Sequence, residues 1–255
     1  MDNDYFSSQA DIYRRFRPSY PERLFEFLSN ELHNDSLIWD CATGNGQAAM
    51  QFDQRFKIVA TDQSSSQLSH RSFSSNILYA QAKAEYAPFG DRSVSLVTVA
   101  QALHWFDFDV FYREVRRVLK PGGIIAAWTY SFLSASPQLG SDIDECVRSF
   151  YYEVVGDYWP PERRWVDKLY ETIPFPFDDI QAPNFYLDLS WDLIELVGYL
   201  SSWSSVAQYI KVNKTDPMPD LERQLTRLWG DPQVKKTMKW KLGLRVGRND
   251  QLNVA

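Results

Sequence analysis

Leu37-Ile38-Trp39-Asp40-Cys41-Ala42-Thr43-Gly44-Asn45-Gly46 decides the fold, together with Asp62 eighteen residues after Gly44. The apolar run ending at Asp40 and Cys41 reads as a buried strand, and Thr43 to Gly46 as a tight turn. The turn is expected to open a helix near 47–54. Residues 57–61, Lys-Ile-Val-Ala-Thr, form a second strand that delivers Asp62 to its carboxyl end. A glycine-rich turn alone is often only a turn. Set between strand and helix, with an acid ending the next strand, it is the arrangement that binds nucleotides. The glycines let the backbone approach the ligand, and the acid takes ribose hydroxyls.

The alternation continues outward. Upstream, Ser19 is expected to cap a helix, with Pro21 in its first turn, Glu22 completing a capping box, and Leu24, Phe27, Leu28 and Leu32 at helical spacing. Downstream, Ser64 to Gln67 is another capping box. Strands follow at 77–80 and 94–100. Asp107 caps a helix carrying Val110, Phe111, Val115, Val118 and Leu119. Pro121-Gly122-Gly123 stops it before a fifth strand at 124–128. Apolar strands alternating with helices imply βαβ units and a parallel sheet covered on both faces. The rhythm changes after about residue 132. Helices are expected over 139–155, 191–200, 203–211 and 219–229, with strands at 184–189 and 240–246. The fold class is therefore α/β: a three-layer, Rossmann-like, seven-stranded, mostly parallel sheet with a helical cap insertion. Residues 1–36 are an N-terminal segment and helix, and 37–132 the nucleotide-binding core. Residues 133–238 are a helical cap that includes a sheet-edge strand, and 239–255 the final strand and tail.

Composition limits the partners. Across 255 residues, 27 Lys and Arg stand against 33 Asp and Glu, a net charge of -6, which offers phosphate backbones no electrostatic footprint. Nucleic acid is not expected as a partner. Neither is a membrane, since the longest apolar run, 124–128, is far short of the roughly 20 residues a span needs. The acidic start lacks the features of a signal peptide, and two cysteines are too few for a disulfide framework. A cytoplasmic protein, monomer or homodimer, is the expectation. Cysteine and histidine spacing suggests no metal site.

Asp40 discriminates among nucleotides. A carboxylate at the carboxyl end of the first strand opposes a dinucleotide pyrophosphate and favours a ligand bearing positive charge, such as the sulfonium and ammonium of S-adenosylmethionine (SAM). The other reading is that Asp40 caps loop amides. His104 follows the fourth strand, where ligands sit in open α/β sheets. It is a ligand or substrate contact, a general base, or a histidine satisfied by backbone groups. Trp105 lies against adenine or near a sulfonium, or packs in the core. Arg163 and Arg164 receive an acidic substrate, or lie on a solvated helix face.

Asp40 to Gly46 resembles motif I of class I SAM-dependent methyltransferases, usually D-x-G-x-G-x-G. The strand ending at Asp62 resembles their ribose-binding acid. Ala84-Glu85-Tyr86-Ala87-Pro88-Phe89 resembles their adenine loop, Gln101-Ala102-Leu103-His104-Trp105-Phe106 their motif after the fourth strand, and Val118-Leu119-Lys120-Pro121-Gly122-Gly123 the turn before the fifth. Tyr13, Arg17-Pro18 and Tyr20-Pro21, the His104-Trp105-Phe106 variant, and Tyr199 to Ser204 look more like the branch near trans-aconitate methyltransferases. Ala42 departs from the family glycine. The resemblance implies SAM as cofactor, contacted by Tyr13, Arg17, Asp40, Ala42, Gly44, Gly46, Asp62, Gln63, Ala84, Glu85, Gln101 and Trp105. Tyr13 and Arg17 would clamp its methionine carboxylate. It also implies methyl transfer to a small-molecule acceptor, with a carboxylate as the candidate, His104 as the candidate catalytic residue, and His104, Arg163 and Arg164 as substrate contacts. The alternatives are a non-catalytic SAM or nucleotide sensor and an NAD-dependent oxidoreductase.

Overall fold

The computed structural model describes residues 18–130 and 141–249, so Tyr13 and Arg17 lie outside the described residues. The chain forms two compact units. Of the described residues, one contains 20–130, 164–185 and 241–249; the other contains 141–163 and 186–240.

In the first unit, β1 (Leu37–Cys41), β2 (Lys57–Asp62), β3 (Ile77–Gln81), β4 (Val94–Ala100) and β5 (Leu119–Tyr130) form the parallel heart of the sheet. β8 (Lys236–Arg248) and the short β6 (Asp178–Asp179) add antiparallel strands. The path runs β3-β2-β1-β4-β5-β8-β6, and β7 (Tyr186–Trp191) pairs β8 off it. Strand order reverses between β1 and β4, and open α/β sheets bind ligands in the crevice at the carboxyl side of such a switch point.

Alternate residues of the strands build the two faces. Trp39, Val97, Val99, Ile125 and Ala127 pack with Phe111, Val115 and Val118 of α3 (Phe108–Val118). Trp128, on the opposite face, meets Tyr20 and Phe25 edge-on at 5.5 and 6.0 Å. Phe25 belongs to α1 (Glu22–Asn30). That helix begins at Glu22, with Pro21 extended in the cap position and no side-chain cap, so the expected Ser19 cap is not formed. The Asp107 cap is formed, its carboxylate accepting the Val110 N–H at 3.2 Å.

Two expectations are corrected. The helix over 47–54 is a series of turns ending in one 3-10 turn, Ala49–Gln51. The Met50 N–H donates four residues back to Gly46, but Gln51 and Phe52 donate three back, to Ala48 and Ala49, and Phe52 is extended (ψ 147°), which ends the run. The cap boundary also moves. Residues 164–185 belong with the sheet, because Val166, Tyr170, Ile173 and Phe177 are buried in the same cluster as Val97 and Phe111.

In the second unit, α4 (Ser141–Ser149) continues into a π-helical turn, Phe150–Val154. α6 (Leu193–Ser201), α7 (Ser204–Asn213) and α8 (Met218–Trp229) follow. Asp192 and Glu195 form a reciprocal capping box at the start of α6. Among the described residues, no helix is long and apolar enough to cross a membrane, and no cluster of three or more His, Cys, Asp or Glu is placed to hold a metal ion.

Candidate active site

At the carboxyl end of β1, register sets Asp40 beside Thr98 of β4. The Thr98 hydroxyl donates to Asp40 at 2.7 Å, the Thr43 hydroxyl donates to the other carboxylate oxygen, and the Ala49 N–H adds a third bond. Asp40 is wholly buried. Burial pushes its carboxyl up to about 6, against the pull of the three donors, and Asp62 adds like-charge repulsion. Loop-holding, one of the two readings of Asp40, is directly visible.

Asp62 ends β2. Its two oxygens each accept a backbone N–H at 2.8 Å, one from Gly44 and one from Ser64. Burial raises this carboxyl and the two amides oppose the rise. Between these acids the loop is left-handed at Ala42 (φ 53°), Gly44 (φ 60°) and Gly46 (φ 89°). A Cβ on Gly44 would meet nothing nearer than Gln67 Oε1 at 3.8 Å, whereas one on Gly46 would lie 2.1 Å from the Tyr79 hydroxyl. That hydroxyl is buried without a hydrogen-bond partner among the described residues. Ala84 is buried and Glu85 half-buried, and Glu85 joins Asp40 and Asp62 in raising the buried Cys41 thiol beyond what burial alone does. Gln63 is exposed, its carbonyl taking the Gln81 amide at 2.9 Å.

The end of β4 is built differently. Gln101 is left-handed (φ 56°), and its side-chain oxygen accepts the Thr129 hydroxyl at 2.7 Å. A 3-10 turn, Leu103–Trp105, follows. His104 is buried, with Nδ1 2.7 Å from the Tyr170 hydroxyl. The Trp105 ring, 36% exposed, lies 4.8 Å from the imidazole.

Arg163 and Arg164 have different neighbours. In the second unit, Arg163 donates from Nε to the Tyr151 hydroxyl at 2.8 Å and lies 4.3 Å over Trp159. Arg164 is exposed over Trp165. The sequence reading passed over Tyr79, Thr98, Thr129 and Tyr170. Thr98 carries a signal, a polar residue inside an apolar strand. Tyr170 carries none, since its partner is 66 residues away.

A family profile described as a methyltransferase domain matches residues 39–127. A Dictyostelium discoideum protein named as a methyltransferase is 31% identical over 230 residues, covering 89% of this chain and 87% of its own. The chain belongs to the class I SAM-dependent methyltransferases. A solved structure of an Anaeromyxobacter dehalogenans protein, named as a type II methyltransferase, is similar to this methyltransferase with a TM-score of 0.82 and 34% identity. It covers 92% of this chain and 98% of its own. A malonyl-[acyl-carrier protein] O-methyltransferase of Marinomonas sp. is 36% identical over 137 residues, half of each chain.

The family cofactor is SAM, and the rim of β1 and β2 fits it. The two Asp62 oxygens each retain acceptor capacity beside their amide bonds, as two ribose hydroxyls require. Gly44 presents bare backbone, and the buried Tyr79 hydroxyl has a bond still to make.

Proposed function

We propose that this methyltransferase acts on a small carboxylic acid. SAM supplies a methyl group already activated on a sulfonium, so direct in-line transfer leaves the protein the work of binding, orienting and excluding water. Asp62 would hold the ribose hydroxyls, Gly44 and Gly46 would let the loop backbone close on the cofactor, and Asp40 would fix the loop while placing negative charge near the cationic end. Ala84 and Glu85 would border adenine, with Gln63, Gln101 and Trp105 at the margins. Tyr13 and Arg17 are proposed as the methionine-carboxylate clamp on resemblance alone.

The observation that carries the acceptor class is the partner of His104. The imidazole Nδ1 is held by a phenol, Tyr170, where a base is usually held by a carboxylate that stabilises the imidazolium. A carboxylic acid is already ionised at neutral pH and asks for no base. Two further points support the reading. The Marinomonas relative is named an O-methyltransferase of a malonyl group, whose free acid is a carboxylate. Arg163 offers a guanidinium set against aromatic rings. The resemblance to the trans-aconitate branch agrees.

The test is a screen with methyl-labelled SAM against small mono-, di- and tricarboxylates, phenols and amines, alongside calorimetric titration with SAM, S-adenosylhomocysteine and NAD. Tight SAM binding and label in base-labile esters are expected. Label confined to phenols or amines would defeat the carboxylate reading. SAM binding without any product would favour a sensor, and NAD binding alone an oxidoreductase.

A further inference from the structure

We propose that Glu114 and Arg117, on α3, are positioning residues for the adenine of SAM, on which they act through the 84–89 loop. This rests on the reading that Ala84 and Glu85 border adenine.

The loop is strung between two fixed points. At its start, the Ala82 N–H donates to the Asp62 carbonyl at 3.0 Å, so the chain leaves β3 tied to the residue whose side chain would take the ribose. At its end, the Ala87 N–H donates to Glu114 Oε1 at 2.7 Å. Arg117 meets the neighbouring carbonyls, with Nη1 donating to Phe89 at 2.8 Å and Nη2 to Ala87 at 3.4 Å. The Phe89 N–H also reaches the Ala87 carbonyl, at 2.8 Å, closing a γ-turn over Pro88, whose ring presets the φ such a turn needs. The Phe89 ring lies 5.4 Å from that of Trp39, in the core. Further on, the Arg92 and Ser93 N–H groups donate to the Arg117 and Val118 carbonyls at 2.8 and 2.9 Å, and so satisfy the end of α3.

Glu114 and Arg117 are locked to each other. One turn apart on α3, they share two bonds, Nε to Oε2 at 2.8 Å and Nη2 to Oε1 at 2.7 Å. A forked pair of this kind fixes direction as well as distance. The Glu114 side chain is only 13% exposed, whereas Asp91, the other carboxylate on Arg117, is 74% exposed and adds little. Between the two fixed points of the loop lie Ala84 and Glu85. Their main-chain N–H and carbonyl groups take no hydrogen-bond partner among the described residues. The adenine edge sets a donor, the N6 amino group, beside an acceptor, N1. Main-chain groups can match that pair, and the match is only as good as the support behind the loop.

The test is base selectivity, measured by calorimetry on the full-length protein with S-adenosylhomocysteine and S-inosylhomocysteine, which differ only in the base. The inosyl ligand has an acceptor where adenine has the N6 donor, and a donor where adenine has the N1 acceptor. The wild type is expected to prefer the adenosyl ligand by at least about tenfold, the worth of one mismatched hydrogen bond. Glu114→Ala should cut that preference at least about fivefold, the loss falling mainly on the adenosyl ligand. Glu114→Gln, which keeps an oxygen for the Ala87 N–H, should fall between. Damage spread over the fold would weaken both ligands alike, so a ratio unmoved in a folded Glu114→Ala overturns the proposal. If that variant does not fold, Arg117→Lys, which keeps the charge and loses the fork, is judged by the same ratio. A wild type that fails to bind the adenosyl ligand, or fails to prefer it, removes the adenine reading and the proposal with it; a preference that survives the substitution removes the proposal alone.

Discussion

The rim at β1 and β2 is charged and closely knit; the rim at β4 and β5 is neutral and strained. At the first, two buried carboxylates are met by hydroxyls and amides from their own loop and neighbouring strands. At the second, a phenol, a hydroxyl, an amide and an imidazole are linked over backbone in left-handed conformations. Fixed negative charge suits a ligand with cationic groups and hydroxyls to donate. A neutral network suits orienting a group whose own charge does the chemistry. Under the proposed function the first rim would recognise the cofactor and the second would orient the acceptor.

The largest test of this contrast is Gly46→Val. Its Cβ would overlap the Tyr79 hydroxyl at a φ that side chains avoid, and a branched residue aggravates both. A loss of several kcal/mol, about 3 or more, is expected from overpacking and strain together. Urea unfolding of Gly46→Val beside Gly44→Val measures it. Gly44→Val should keep more of its stability yet lose SAM binding, and equal destabilisation of the two would erase the distinction between packing glycine and ligand-facing glycine.

Next comes pH. The Asp40 carboxyl is raised from 3.8 to about 6, so between those values the folded chain holds more proton than the unfolded one. Its contribution to stability therefore rises as pH falls through about 6, and the penalty of buried charge is fully present above that. The effect is about 3 kcal/mol at most. Asp40→Asn should flatten this part of the stability profile while leaving the other carboxylates' slopes in place. SAM affinity should weaken over the same interval in the wild type, as the charge is lost. A profile identical in the two proteins would remove Asp40 from the charged rim.

Asp62→Ala is expected to weaken SAM binding at least tenfold, since charge-assisted bonds are worth about 1.5–3 kcal/mol each. It should also lower stability modestly, because Gly44 and Ser64 lose their acceptor. Calorimetry and a melt separate the two losses; unchanged affinity would place the ribose elsewhere. The smallest effect is Ala42→Gly. Relief of a left-handed alanine should be worth about 1 kcal/mol, partly offset by the freer unfolded chain. A rise in the urea midpoint is expected, and a fall would mean that the Ala42 methyl packs usefully.

The first rim was legible because its parts are near in sequence: Thr43 is three residues from Asp40, and Gly44 eighteen from Asp62. Glycine, acid and strand each have a local signature, and so does the Asp107 cap. The helix expected at 47–54 stops within a turn, where Gln51 and Phe52 donate three residues back and Phe52 is extended, an ending without a residue signature. The second rim was half legible. His104 and Trp105 stood out by position, but Tyr170 lies in a stretch without clear periodicity and meets His104 from 66 residues away.

The chain leaves the first unit after Phe185 and returns at Lys241, and the Leu242 N–H donates to the Phe185 carbonyl at 2.9 Å. Exit and re-entry are thus clasped, and the entropy of closing the excursion scales only weakly with its length, about 0.6 kcal/mol for each doubling. The stretch between β7 and β8 can therefore lengthen, shorten or be exchanged over generations at little expense to the sheet. The clasp makes that stretch a portable module, free to diverge while the sheet is inherited intact.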